Sequence, residues 1–201
     1  METFRLVIAG VGGQGSLLAS RILAEAAIKS GLPVMIGETY GMAQRGGPVM
    51  GHIQIGGEAS NPQIRKGEAD ALMAFEPAEA ARRGTVYLKA NGLALVNTRK
   101  TPPVEVISGT KTYPKVEDLI ALLGKVTKNI ISFDATSLAE EAGDPIATNV
   151  VMIGVLAESG MLPYDEEKII QVMKENLSRR YLELNMKAFE LGKKSYIGKV
   201  E

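Results

Sequence analysis

The sequence predicts a single α/β domain over residues 1–201, with a mostly parallel sheet, helices on both faces and further helices covering the sheet at the C-terminal end. In the first two thirds, short branched apolar runs alternate with stretches whose apolar residues recur at helical spacing. The last third begins with an apolar, small-residue-rich stretch at Thr148–Glu158 and then carries two helical patterns, 165–177 and Arg179–Lys194.

The N-terminal elements form the clearest pattern. Residues 4–9 (FRLVIA) predict a buried strand, residues 16–30 an amphipathic helix that stops at Gly31, and residues 33–36 (PVMI) the next strand. A strand, a glycine loop, a helix and a second strand make a βαβ unit. Residues 49–55 follow as a third strand, with Gly51, Ile53 and Ile55 on one face.

The middle of the chain predicts shorter elements. Strands are expected over 71–75, 85–88, 93–96, Val104–Ile107 and Ile130–Phe133. Helices are expected over 77–82, Val116–Leu123 and 137–141. No repeat or linker divides the chain, so a single domain is the interpretation.

The composition argues against several kinds of partner. Lys+Arg and Asp+Glu both number 23, so the formal net charge is zero and no general attraction to nucleic acid or to an anionic membrane is expected. The first residues, METFR, lack the pattern of a signal peptide, and no apolar stretch approaches the about 20 residues that span a bilayer. We therefore expect a cytoplasmic protein.

The absence of cysteine limits the chemistry further. Without thiolates the chain cannot form disulfides or ligate zinc or an iron–sulfur cluster through sulfur. His52 is the only histidine, so a multi-histidine metal site is excluded, and we expect His52 to be a packed or surface residue rather than a catalyst. Metal or redox cofactors connected with this protein are therefore expected mainly on another molecule.

A glycine loop follows the first predicted strand. Gly10, Gly12 and Gly15 match G-x-G-x-x-G, with Gly13 and Gln14 between them, in the strand–loop–helix setting of a Rossmann-like fold. Glu38 lies about 20 residues further on, where dinucleotide sites place a ribose-binding acid. Binding of NAD(P) or FAD is therefore one interpretation, and a loop that only makes a tight turn is the other.

A second glycine-rich loop occupies residues 37–48, where a nucleotide enzyme would normally continue into a helix. It carries Tyr40, Gln44 and Arg45, and ends in Gly46 and Gly47 before a proline. Loops at the carboxyl ends of neighbouring strands face one crevice, the usual ligand site of an open α/β sheet. Arg45 is a candidate contact for an anion or carboxylate there, although a solvated or internally paired arginine fits the pattern as well.

These two loops, GVGGQG at 10–15 and GETYGMAQRGG at 37–47, resemble the γ domain or subunit of 2-oxoacid:ferredoxin oxidoreductases. They are most similar to the small (β) subunit of indolepyruvate:ferredoxin oxidoreductase. Further matching segments lie at 69–82, 133–157 and 185–192, so the resemblance covers most of the chain.

The resemblance implies a multi-subunit enzyme of anaerobic metabolism that oxidatively decarboxylates a 2-oxoacid to acyl-CoA and CO2 and reduces ferredoxin. Thiamine diphosphate, magnesium and the iron–sulfur clusters are expected on the large partner subunit, with coenzyme A possible at a shared site. This chain alone is expected to bind none of them and to be inactive. When isolated it is expected to expose an apolar patch, which would allow self-association.

The resemblance also supplies the expected site, which is formed by partner-facing loops rather than catalytic residues. It comprises Gly10, Gly12, Gly13, Gln14, Gly15, Glu38, Tyr40, Gln44, Arg45, Gly46 and Gly47. Tyr40 departs from the indolepyruvate type, which more often has histidine there. That difference keeps a pyruvate- or 2-oxoglutarate-type enzyme as an alternative.

Overall fold

The computed structural model describes residues 2–40, 47–57 and 61–196. Its central feature is one six-stranded sheet in the order β2-β3-β1-β4-β5-β6. The strands are β1 (Phe4–Val11), β2 (Val34–Tyr40), β3 (Pro48–Ile55), β4 (Ala69–Ala74), β5 (Leu88–Asn97) and β6 (Ile130–Phe133).

The sheet is mostly parallel, as predicted. β1, β4, β5 and β6 pair in parallel, while β3 runs antiparallel between β1 and β2. Because β3 opposes both of its neighbours, β1 and β2 point the same way. The predicted βαβ unit is therefore present, with β3 inserted between its two strands.

Helices cover both faces of the sheet, which confirms the predicted layering. They are α1 (Ser16–Lys29), α2 (Pro77–Tyr87), α3 (Val104–Ile107), α4 (Val116–Leu123), α5 (Ala135–Ala142), α6 (Thr148–Glu158), α7 (Glu166–Asn176) and α8 (Arg179–Lys194). Residues of α1 and α5–α8 share one core with one face of the sheet, and α2 and α4 share a second core with the other. In β1, Leu6 and Ile8 belong to the first core and Val7 to the second, so both faces of this strand are buried.

The C-terminal helices cover the sheet, as the helical patterns predicted. α6 is buried from Thr148 through Leu156, with α8 packed closely against it. The contact depends on glycine, since a Cβ built at Gly192 would lie 2.1 Å from the Val151 carbonyl oxygen. In the described part of the chain no helix combines the length and apolar character needed to cross a membrane.

Two predicted strands are wrong. Residues 85–87 form the last turn of α2, where the Thr85 hydroxyl donates to the Ala81 carbonyl at 2.8 Å, and the strand begins only at Leu88. Val104–Ile107 is the short helix α3, because Pro103 opens a turn and its carbonyl accepts the amides of Val106 and Ile107. In both places local hydrogen bonding outweighs the preference of β-branched residues for strands.

The second strand is longer than predicted. β2 continues through Tyr40 because β3 pairs with it along its whole length, from Val34 opposite Ile55 to Tyr40 opposite Val49. Residues 37–40, assigned from the sequence to a loop, are therefore strand. Glu38 lies within β2, opposite Gly51, rather than after it.

Candidate functional site

The two glycine-rich loops meet at the carboxyl-terminal edge of the sheet. β1 and β2 both end at this edge and β3 begins there, with Val11 opposite Pro48. The backbone amide of Gly12 donates to the carbonyl of Gly47 at 2.8 Å. The predicted proximity is therefore present at these two residues, although β3 separates the strands that were expected to be neighbours.

Three residues of the predicted site, Gln44, Arg45 and Gly46, lie outside the described residues, and Tyr40 is described in its backbone alone, as the end of β2. Gly47, which carries the carbonyl that meets Gly12, is buried.

The glycine loop makes the tight turn that its sequence predicts. Gly13 and Gly15 adopt φ values of 102° and 77°, in the region that residues with a Cβ rarely visit. Gly15 is also the first, left-handed residue before α1, and no side chain caps the amides of that helix end. A Cβ at Gly15 would lie 2.9 Å from Nδ2 of Asn149 on α6, so glycine also permits close packing there.

The side chain of Gln14 makes hydrogen bonds to backbone groups of β1 and of the residue after β4. Since the Gly12 amide bonds to Gly47, the residue just before β3, the amide of Val11 faces the β4 side, where the β4 strand has already ended at Ala74. Oε1 of Gln14 accepts this Val11 amide at 2.9 Å, while its Nε2 donates to the Phe75 carbonyl at 3.2 Å. The predicted loop residue thus bridges β1 and the residue after β4.

Asn97 makes a second bridge that the sequence did not reveal. This buried residue ends β5 and donates through Nδ2 to the Phe75 carbonyl at 3.2 Å and to the Thr136 hydroxyl at 3.0 Å. Its Oδ1 accepts the amides of Ala135 at 3.1 Å and Arg99 at 3.3 Å. Two carboxamides therefore converge on one carbonyl at the end of β4.

A pocket of about 650 Å³ opens beside these bridges. Its lining includes Gly13, Gln14 and Gly15 of the glycine loop and also Asp144, Pro145, Ile146, Thr148 and Asn149. Leu18 and Ile146 add apolar surface, while Thr101, Thr136 and Arg99 add polar groups. Its volume falls within the range of small-molecule sites, and its lining combines apolar and polar groups.

Arg99 lines this pocket and forms ion pairs with two carboxylates. Its guanidinium contacts the carboxylates of Asp134 and Glu140, each at 3.3 Å, and donates to the Ser137 hydroxyl at 3.0 Å. Burial opposes ionisation of Asp134, but the hydrogen bonds from Ser137 and the charge of Arg99 lower the pKa of this carboxyl below its usual value. Asp134 is therefore ionised at neutral pH and balances Arg99.

The geometry does not match a dinucleotide site. Glu38 lies on β2, and β2 is separated from β1 by β3. Neighbouring strands are about 4.8 Å apart, so β2, which carries Glu38, lies about 10 Å from β1 instead of next to it. The spacing in sequence therefore does not place Glu38 next to the glycine loop as a ribose-binding acid would require.

His52 is a packed residue, as expected. It is 1% exposed on β3, and its Nδ1 accepts the amide of Ile64 at 3.3 Å. Its ring meets Tyr87 edge-on at 5.1 Å, on the face covered by α2. Among the described residues no group of three or more histidine, aspartate or glutamate side chains is arranged to hold a metal ion.

Known proteins resemble this chain over nearly all of its length. The model of the family "Pyruvate ferredoxin/flavodoxin oxidoreductase" matches residues 5–195. The indolepyruvate oxidoreductase subunit IorB of Archaeoglobus fulgidus is 43% identical over 93% of this chain and 92% of its own. The common γ subunit of the pyruvate/ketoisovalerate oxidoreductases of Pyrococcus furiosus is 31% identical, over 89% of each chain.

A solved structure agrees with these sequence matches. The γ subunit of a keto/oxoacid ferredoxin oxidoreductase from Geobacter sulfurreducens superposes with a TM-score of 0.69 and 25% identity, covering 96% of this chain and 98% of its own. The matched lengths leave no large part of either chain unaccounted for. The chain belongs to the pyruvate ferredoxin/flavodoxin oxidoreductase family, as a small, γ-type subunit of a 2-oxoacid:ferredoxin oxidoreductase.

Proposed function

We propose that the carboxyl-terminal edge of the sheet completes an active site whose cofactors are held by a large partner subunit. The observation that carries this proposal is the junction of the two glycine-rich loops at Gly12 and Gly47, beside the pocket of about 650 Å³. The reaction is the oxidative decarboxylation of a 2-oxoacid, with coenzyme A as acyl acceptor and two ferredoxins as one-electron acceptors.

The division of labour follows from the residues available. The chain has no cysteine and a single, buried histidine, so it offers no thiolates for clusters. We place thiamine diphosphate, magnesium and the iron–sulfur clusters on the large subunit, which carries out the chemistry. The role of this chain is then to bind and orient the substrates at the shared edge and to exclude water from it.

Apolar side chains support a docked partner at this edge. Leu17 and Leu18 are exposed on the first turn of α1, and Leu18 lines the pocket together with Ile146, which is 68% exposed. Ile107, 74% exposed, belongs to the segment between β5 and α4, which leaves from the same edge. Exposed apolar residues clustered around a pocket are typical of a protein interface.

Coenzyme A is the ligand that we propose for the shared site. The pocket combines apolar walls with the hydroxyls of Thr101 and Thr136 and the amide of Asn149, which fits a ligand with amide groups along an alkyl arm. Arg45 is the proposed contact for an anionic group of the ligand, with Gln44, Gly46 and Tyr40 beside it in sequence.

A substitution at Arg45 tests the site role. In the reconstituted complex, Arg45→Ala is expected to raise KM for coenzyme A about tenfold or more, because a charged hydrogen bond contributes about 1.5–3 kcal/mol. Arg21→Ala, which removes an exposed arginine of α1, is the matched control and should leave KM unchanged. If Arg45→Ala impairs only assembly, the loop is a structural contact; unchanged turnover, KM and assembly would exclude any role.

The 2-oxoacid is proposed to be an aryl pyruvate such as indolepyruvate. The higher identity to the indolepyruvate subunit than to the common pyruvate/ketoisovalerate subunit supports it. A pyruvate- or 2-oxoglutarate-type substrate is the alternative, favoured by tyrosine at position 40. Comparing kcat/KM for indolepyruvate, pyruvate and 2-oxoglutarate in the assembled complex distinguishes them.

A further inference from the structure

Glu76 occupies an unusual position at the end of β4. It is 2% exposed and caps α2, with its Oε2 accepting the amides of Ala78 at 2.7 Å and Glu79 at 3.1 Å. An acidic N-cap is ordinary, since it satisfies amides that have no partner within the helix. The other carboxylate oxygen, however, accepts its hydrogen bonds from residues outside α2.

That second oxygen, Oε1, accepts hydrogen bonds from residues near both ends of the segment from Thr98 to Lys115, here called the edge loop. The Tyr113 hydroxyl donates to it in a short hydrogen bond, and the Thr101 amide donates to it at 3.5 Å. The ammonium of Lys100 also stands 5.5 Å from the centre of the Tyr113 ring. One buried carboxylate therefore closes the edge loop at its two ends.

The edge loop is linked in turn to the glycine loop. The hydroxyl of Thr101 accepts a hydrogen bond from Nε2 of Gln14 at 3.1 Å, and Oε1 of Gln14 accepts the Val11 amide at 2.9 Å. Thr101 and Gln14 both line the pocket. A continuous series of hydrogen bonds thus leads from Tyr113 through Glu76 to the pocket wall and the glycine loop.

Burial makes this arrangement specific. A buried carboxylate needs donors for both oxygens, and in the described structure the donors come from three separate parts of the chain. Burial and the hydrogen bond to Glu76 both raise the pKa of Tyr113, so its hydroxyl keeps its proton and remains a donor.

We propose that Glu76 is a positioning residue that fixes the edge loop against the glycine loop and so sets the geometry of the pocket. Its predicted effect on coenzyme A rests on the function proposed above, whereas the coupling itself concerns this chain alone. Glu76 acts through Thr101 and Gln14 rather than by contact with a substrate.

The Val11 amide provides a readout of this coupling, because the side chain of Gln14 accepts its hydrogen bond. Tyr113→Phe removes one donor to Glu76 without touching the glycine loop. We expect it to lower hydrogen-exchange protection of Val11 about fivefold in the assembled complex, the effect of losing about one net hydrogen bond. Tyr164→Phe is the control, since it removes a tyrosine hydrogen bond to the Leu23 carbonyl on α1, away from this network.

Thr101→Val supplies the second variant, because it removes the hydroxyl that accepts from Gln14 and keeps the Thr101 amide. If both substitutions act along one series of contacts, their effects on Val11 will be less than additive in the double variant. The proposal would be overturned if Tyr113→Phe and Thr101→Val each left the hydrogen-exchange protection of the Val11 amide equal to that in the Tyr164→Phe control, whatever their kinetic constants.

The kinetic measurement separates this inference from the proposed function. A raised KM for coenzyme A with kcat nearly unchanged, together with lowered Val11 protection, supports both. Lowered Val11 protection with unchanged KM supports the coupling by Glu76 and contradicts the assignment of coenzyme A to the pocket.

Discussion

At the scale of single residues, the carboxyl edge of the sheet is held by side chains that replace missing strand partners. Parallel strands of unequal length leave backbone groups unpaired where the shorter one ends, and such groups are destabilising when buried. Gln14 takes up the Val11 amide, and Gln14 and Asn97 together take up the Phe75 carbonyl. The pocket is thus lined by side chains whose positions are fixed by the sheet.

His52 predicts a pH dependence of stability. Burial lowers its pKa below 6.5, and the charge of Arg83 adds to this effect. Between the folded-state pKa and about 6.5 the unfolded chain binds the proton and the folded chain does not, so the free energy of unfolding falls as the pH drops through this window. Urea unfolding at pH 7.5 and pH 5.5 measures the loss.

The same residue allows a direct check. Because His52 is the only histidine, its Cε1 proton gives a single resonance whose titration midpoint is expected below pH 6.5. His52→Asn cannot titrate and can still accept the Ile64 amide, so it should flatten the pH dependence of unfolding. A midpoint at or above 6.5 would contradict the desolvated position of the ring.

The site was predictable where its residues follow each other along the chain. The glycine loop and Gln14 belong to one motif, and the motif indicates their place after β1. Asn97, Glu76 and Thr101 were missed because their roles depend on which strands lie side by side. Strand order also explains why Glu38 does not lie next to the glycine loop, since a spacing of 20 residues does not reveal that β3 is inserted between β1 and β2.

At the scale of elements, α6 and α8 pack so closely that their backbones are in contact. A Cβ at Gly154 would lie 2.3 Å from the Phe189 carbonyl oxygen, just as one at Gly192 would meet the Val151 carbonyl oxygen. Glycine on both helices lets their backbones touch. α6 is buried on every side and depends on this cover, because it has no polar face to present to water.

Gly192→Ala is expected to destabilise the protein by about 1–3 kcal/mol, the usual effect of overpacking a close-packed contact. The matched control is Gly84→Ala in α2, where the new methyl would meet the flexible ends of Leu123 and Leu72 instead of backbone. Alanine also gains about 1 kcal/mol of helix propensity over glycine. Thermal unfolding that ranks Gly84→Ala as equally harmful would argue against the backbone contact.

Helices and buried strands were predicted well wherever the pattern was long or uniform. Val116–Leu123, Ile130–Phe133 and Arg179–Lys194 have the bounds that were expected. The errors at 85–88 and 104–107 concern four-residue runs, for which apolar periodicity does not separate strand from helix. In these two runs, hydrogen bonds made by Thr85 and Pro103 favour a helix over a strand. The spacing of the apolar residues does not indicate these hydrogen bonds.

At the scale of the whole molecule, four of the nine large apolar side chains that are exposed in the described structure lie near the carboxyl-terminal edge of the sheet. Leu18 and Ile146 line the pocket, Leu17 precedes Leu18 on the first turn of α1, and Ile107 lies on the edge loop. Ile28, in the last turn of α1, is equally apolar and lies toward the opposite edge of the sheet. These four residues, together with the pocket, make the carboxyl-terminal edge the proposed contact with a large subunit.

Ile146→Asp is therefore expected to weaken assembly with the large subunit at least tenfold, because a charge would be buried in an apolar interface. The free energy of unfolding of this chain should change little, since the side chain is mostly exposed. Ile28→Asp, at a residue that is 61% exposed, is the control and should leave assembly intact. Titration of each variant with the large subunit measures the difference, and equal weakening by both would contradict a partner at the pocket edge.

The side-chain bridges at the end of β4 have an evolutionary consequence. A backbone hydrogen bond is present whatever residue occupies the position, whereas the bridges made by Gln14 and Asn97 exist only while those residues are kept. Substitution can therefore remodel this edge while the sheet behind it stays unchanged. Relatives that act on different substrates can diverge at this edge while retaining a common fold.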